Sequence, residues 1–155
     1  MKGNPQLIEQ LNTRLIEELG AINQYFVHAE MCEDWGYETL KSAIKKRSIQ
    51  EMKHAEKLIE RILFLEGRPI VSRLDKITIG SKVEEMHQND WNAESAAIKG
   101  YNETIRLAAE VGDNGTKKML EEILKEEEEH IDWLESQKDQ IDQMGIQVYL
   151  AEQLG

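Results

Sequence analysis

One set of chelating residues recurs in this chain at a fixed offset, and it restricts the fold more than any other feature. Glu51 and His54 stand three residues apart, and Glu127 and His130 repeat the pair 76 residues later. Glu18 lies 33 residues before Glu51, and Glu94 lies 33 before Glu127. Residues three apart project from one side of a helix. A fold that uses this set must therefore bring two copies of a helical pair together around an approximate two-fold axis. The repeat extends past the chelators. Ala21, Ile22 and Tyr25 follow Glu18 at the spacings at which Ala97, Ile98 and Tyr101 follow Glu94, and Gly36 and Lys41 match Gly112 and Lys117.

The pattern between these residues predicts four long helices. Asn4 followed by Pro5 is a helix start. Leu7, Leu11, Leu15, Glu18, Ile22, Tyr25, Phe26 and Ala29 then recur at three- and four-residue steps, so the first helix is expected over 5–35, ending at Gly36. The second is expected over 38–66, with Ile44, Glu51, Leu58, Ile62 and Leu65 facing inward, and Gly67 and Pro69 closing it. The third is expected over 82–111 and the fourth from the 111–116 turn to 144. A short fifth helix is expected over 146–154. The segment 68–81 is apolar in places but has no helical period. The second helix would be about 42 Å long, and 14 extended residues reach roughly 46–50 Å. This connection can therefore cross the whole bundle and start the third helix parallel to the second, where an up-down-up-down bundle needs only a short turn. The fold class expected is all-α: a four-helix bundle with a long crossover and a short C-terminal helix. At 155 residues it forms a single domain, 1–155.

Charge and cysteine content narrow the partners. A net charge of −11 disfavours nucleic acid and anionic membrane surfaces. No apolar run approaches the ~18 residues of a membrane span, and no signal-like segment opens the chain. A single cysteine, Cys32, fits a reducing, cytoplasmic location.

Four carboxylates buried together without counter-charge repel, so some must stay protonated. Two divalent iron ions neutralise them, and two ferric ions sharing an oxo bridge carry the same net charge. Oxygen and nitrogen donors without thiolate suit iron or manganese. A third Glu-x-x-His, Glu84 to His87, lacks both partners at the offset, since Ile8 and Leu11 stand there. It is expected on a solvated helix face. His28 is expected at a surface or an interface, and the run 126–129 on a solvated face with only Glu127 in phase with His130. Tyr25 and Tyr101 are expected as core aromatics whose hydroxyls bond the carboxylates of the set, the alternative being that one of them donates electrons or supports a metal ligand. Trp133 is expected to be a packing residue. Met52 lies about 100° round the helix from Glu51, within an outward stripe of Ile49, Met52, Ile59 and Leu63. A second apolar stripe on one helix implies a partner surface.

A Glu from each of two helices with Glu-x-x-His from each of the other two resembles the ligand pattern of ferritin-like di-iron proteins. From the Met-Lys-Gly start, through Glu18, Glu51-Met52-Lys53-His54 and Glu94 to Glu127-x-x-His130, the chain resembles the bacterioferritins. The resemblance implies iron storage with ferroxidase activity, in which Fe(II) is oxidised and the ferric mineral kept inside a homo-oligomeric cage of 24 subunits. It implies Glu18 and Glu94 as terminal ligands, Glu51 and Glu127 as bridges, and His54 and His130 as nitrogen donors. It also implies haem b between paired subunits on Met52, and a small ferredoxin as the electron donor for iron release. Some relatives carry an accessory iron site where this chain has Lys46 and Gln50, so that site is not expected here. The alternative is a discrete di-iron or di-manganese oxidase or catalase without a cage, and a third reading is a haem-bearing electron carrier. Assembly size and iron per subunit separate them.

Overall fold

The computed structural model describes residues 1–155. It contains α1 (Pro5–Asp34), α2 (Glu38–Phe64), α3 (Val83–Glu110), α4 (Asn114–Met144) and α5 (Ile146–Ala151). The boundaries have visible chemical causes. Asn4 Oδ1 accepts the Leu7 N–H at 3.0 Å, with Pro5 opening the helix. Asp113 plays the same part for α4 by accepting from the Thr116 N–H. The two hairpin turns end alike. The Tyr37 N–H reaches Cys32 O and the Asp113 N–H reaches Ala108 O, both at 2.8 Å, over left-handed Gly36 and Gly112. The α2 terminus repeats this motif, with the Gly67 N–H on Ile62 O at 2.8 Å, but the left-handed residue is Glu66, at φ 62°. Gly67 is needed for space, since a Cβ there would sit 2.6 Å from the Ile8 Cγ2. The fifth helix is shorter than expected and stops at Ala151.

The crossover is anchored to α1 along its length. Asn12 donates to Arg68 O at 3.1 Å and accepts from the Ile70 N–H at 2.8 Å. Further along, Gln24 accepts from the Thr78 N–H and His28 Nε2 from the Gly80 N–H, each at 3.0 Å. Each step of four residues drifts about 40° round a helix, so from Asn12 to Gln24 and His28 the contacts wind round α1 as the crossover passes along it. Gln24 and His28 both meet Asp90 near the start of α3, and Arg14 meets Thr104 near its end. So α1 runs antiparallel to α3, and α2 parallel to α3, as the long connection requires. His28 is fully buried, not a surface residue: its Nδ1 lies 2.9 Å from Asp90. His87 is also buried, against expectation, because α5 folds back and sets the Tyr149 hydroxyl 3.0 Å from its Nε2.

The apolar core is in two parts. One gathers Leu7, Leu11, Leu15, Leu58, Ile62, Leu120 and Ile123 at the end holding the 111–113 turn. The other gathers Tyr25, Ala29, Leu40, Ile44, Val83, Met86 and Tyr149 at the opposite end. Each buried leucine or isoleucine stabilises the fold by roughly 1.5–3 kcal/mol. The layer between the two parts is polar, and it contains the chelating set.

Candidate metal centre

All four long helices contribute to this layer. Glu18 comes from α1, Glu51 and His54 from α2, Glu94 from α3, and Glu127 and His130 from α4, and none is more than 3% exposed. Their donor atoms fall into two groups. Glu18, Glu51, His54 and Glu127 form one, and Glu51, Glu94, Glu127 and His130 form the other, with atoms in each group within 4.8 Å of one another. Glu51 and Glu127 belong to both. The six residues that the offset singled out are therefore brought together, in the two overlapping halves that the repeat implies.

Both imidazoles turn Nδ1 toward the carboxylates. His54 Nδ1 lies 2.8 Å from Glu127 Oε1, 3.6 Å from Glu51 and 3.7 Å from Glu18. His130 Nδ1 lies 3.0 Å from Glu94 Oε1. The tyrosines cross between the hairpins. The Tyr25 hydroxyl, on α1, donates to Glu94 on α3 at 2.5 Å, and the Tyr101 hydroxyl, on α3, donates to Glu18 on α1 at 2.6 Å. Each fixes one oxygen of a carboxylate and leaves the other free. Glu18 Oε2, Glu51 Oε1, Glu94 Oε2 and Glu127 Oε2 are buried without a hydrogen-bond partner. Unsatisfied buried acceptors are costly, and a pair of cations between them removes that cost. The donor set thus fits a di-iron centre in number, charge and chemistry.

Proton affinities follow from this crowding. Burial, then repulsion from neighbouring carboxylates, raises Glu51 and Glu127 well above the usual range. Burial and the same carboxylates raise Tyr25 and Tyr101, so both phenols remain donors. For His54, burial acts downward, but hydrogen bonds to Glu127 and Glu18 outweigh it and lift the imidazole to about 11. For Glu94, burial acts upward, but His130 and further hydrogen bonds outweigh it and hold the carboxyl at about 2. Without metal the layer holds protons where cations would sit.

A cavity of about 220 Å³ beside the crossover is lined by Glu18, Glu51 and Glu94 together with Glu17 and Asp75. On the opposite side stands Glu126, a residue the periodicity did not single out. It is half-buried, lies 3.0 Å from His54 Nε2 and accepts from the Gln50 amide. A carboxylate on the outer nitrogen orients a metal-binding histidine and makes it more basic. The offset held the signal, since Gln50 and Glu126 are themselves 76 residues apart. Met52 faces away from the centre. It is 40% exposed, on the outer face of α2 with Ile49 and Leu63.

Comparison with known proteins agrees with this arrangement. The family model of the ferritin-like domain matches residues 8–144. A bacterioferritin from Brucella melitensis is 42% identical over 149 residues, covering 96% of this chain and 92% of the relative. One from Rhodobacter capsulatus is 44% identical over 147 residues, covering 95% and 91%. One from Mycolicibacterium paratuberculosis is 38% identical over 152 residues, covering 98% and 96%. With the bundle, the crossover and the doubled carboxylate–histidine cluster already in place, these matches show that the chain belongs to the bacterioferritin family of ferritin-like proteins.

Proposed function

We propose that this chain is an iron-storage ferroxidase that oxidises Fe(II) at the cluster of Glu18, Glu51, His54, Glu94, Glu127 and His130. The observation that carries the reading is the sharing of Glu51 and Glu127 between the two donor groups. Glu18 with His54 would serve one iron, Glu94 with His130 the other, and the shared glutamates would bridge them. Bound iron supplies one-electron chemistry at each ion. The chain's part is electrostatic and positional. Four carboxylates offset four positive charges, the Tyr25 and Tyr101 hydroxyls hold Glu94 and Glu18 in place, and the flanking apolar clusters limit water.

The whole chain, 1–155, would act as one ferritin-like domain within a homo-oligomer. Membership of the family supports assembly, and we take 24 subunits as the working stoichiometry. The exposed stripe of Ile49, Met52 and Leu63 supports pairing of subunits along α2. An isologous pair would present two Met52 thioethers to one haem b, and bound haem b would supply a relay for electrons from a small ferredoxin during iron release. No helix is long and apolar enough to cross a membrane, and the free thiol of Cys32 supports a cytoplasmic location.

The test is single-turnover oxidation of Fe(II) by Glu18→Ala, Glu94→Ala and His130→Ala, each checked for assembly by gel filtration. Each should lose the fast phase for the first two irons per subunit. Native rates in all three would assign the oxidation elsewhere.

A further inference from the structure

The surface of α2 beside Glu126 has a charge opposite to that of the chain as a whole. Carboxylates outnumber lysines and arginines by 30 to 19. Yet Lys41, Lys45, Lys46 and Lys53 line one groove of about 550 Å³, with Ser42, Ile49, Gln50 and Glu126. Residues 42, 46, 50 and 53 step by four, four and three, so they follow one helix face. Lys41, at one end, pairs with Glu33 at 3.5 Å and Glu38 at 3.9 Å. Lys45, Lys46 and Lys53 are not among the ion pairs. Ammonium groups on adjacent turns repel, and the groove sets four lysines against one carboxylate. Glu126, its one carboxylate, is already engaged by His54 and Gln50. The Gln50 carbonyl is in turn held by Arg47 at 2.7 Å, which fixes the amide toward Glu126 and adds a further positive charge nearby.

We propose that this groove is a binding site for a tetrahedral oxyanion, with inorganic phosphate as the ligand. Lysine binds phosphate as a flexible point charge with three donors. Three unpaired ammonium groups and the Ser42 hydroxyl can approach one small, doubly charged anion from several sides. A metal cation is disfavoured by the same three charges. The site lies on the outer side of the Glu126–His54 pair, so it is separate from the six-residue cluster and does not depend on it.

The experiment titrates the native assembly, freed of iron, with inorganic phosphate at constant ionic strength, read by calorimetry. Saturable binding is expected. The triple variant Lys45→Gln/Lys46→Gln/Lys53→Gln should weaken it by about tenfold or more, since each charge-assisted contact is among the stronger hydrogen bonds. A control triple, Lys99→Gln/Lys118→Gln/Lys138→Gln, removes equal charge elsewhere and should leave it unchanged. Sulfate should compete and chloride should not. No saturable binding by the native protein, equal binding by the groove variant, equal weakening by the control, or displacement by chloride would each overturn the proposal. If the triple variant does not assemble, Lys46→Gln alone should still weaken binding measurably, and unchanged affinity there counts against the site.

Discussion

Tyr101 and Tyr25 each hold one glutamate of the opposite hairpin, so their hydroxyls set the geometry of residues they do not neighbour in sequence. Tyr101→Phe keeps the ring and removes the only hydrogen-bond partner of Glu18 Oε1. Loss of such an orienting partner should reduce divalent-metal affinity by roughly 10–100-fold, measurable by anaerobic titration with Co²⁺. Proton balance gives a second expectation. Between about pH 5 and 8 the metal-free folded state binds more protons than the unfolded chain at Glu51, Glu127 and His54, because all three are raised. Stability should therefore fall as pH rises through that window. Glu94 and His87 act the other way: the share of Glu94 is lost as pH falls from about 4.5 toward 2, below the window, and His87, held at about 4 by burial, offsets part of the slope below about pH 6.5. Metal needs the deprotonated carboxylates and neutral imidazoles, so loading should release protons and cancel the slope. Thermal melts at pH 5 and 8, with and without Co²⁺, check the sign. The clustering of the six residues was legible because the offset is strict. Glu126 was not, because a long side chain can reach a partner that helical phase alone places elsewhere.

The helices were legible from caps, glycines and periodicity to within a few residues, and the crossover from length alone. The partners of the crossover were not, since hydrogen bonds from Asn12 to residues 56 and 58 positions away leave no local pattern. His28 and His87 were misplaced for the same reason. Each is buried by a segment that returns from far along the chain: the crossover covers one and α5 the other. Asn12→Ala should unfasten the start of the crossover and cost about 1–3 kcal/mol, with faster amide exchange at Ile70 as the local readout. Glu66→Gly should do the reverse. A non-glycine residue in the left-handed region costs roughly 1 kcal/mol, so the variant should melt a few degrees higher, by about 2–4 °C.

For the molecule as a whole, the proposed pairing of subunits along α2 is tested at its exposed methionine, Met52. Met52→Leu conserves volume and apolar character, so pairing should survive at a cost below about 1.5 kcal/mol. Haem b should be lost while fast Fe(II) oxidation remains, as read from the visible spectrum and from stopped-flow absorbance of one preparation. Retention of full haem would remove Met52 as its ligand. Gel filtration of the same sample reports whether the assembly has hundreds of kilodaltons or only a few subunits.

The pairing of Gln50 with Glu126 has a last consequence. The two occupy equivalent places in the repeat, one neutral and one charged, so the duplicated halves are electrically unequal. The half that contains His54 gains electron density from a carboxylate behind the ring, whereas His130 meets a carboxylate only through Nδ1, at Glu94. Affinity should then be graded, not uniform. The first ion should settle with Glu18 and His54, and the second should enter more weakly with Glu94 and His130. Glu126→Gln would level the two, and a stepwise titration curve should merge toward a single phase. An apparently symmetric vessel would thus fill in a set order and empty in the reverse one.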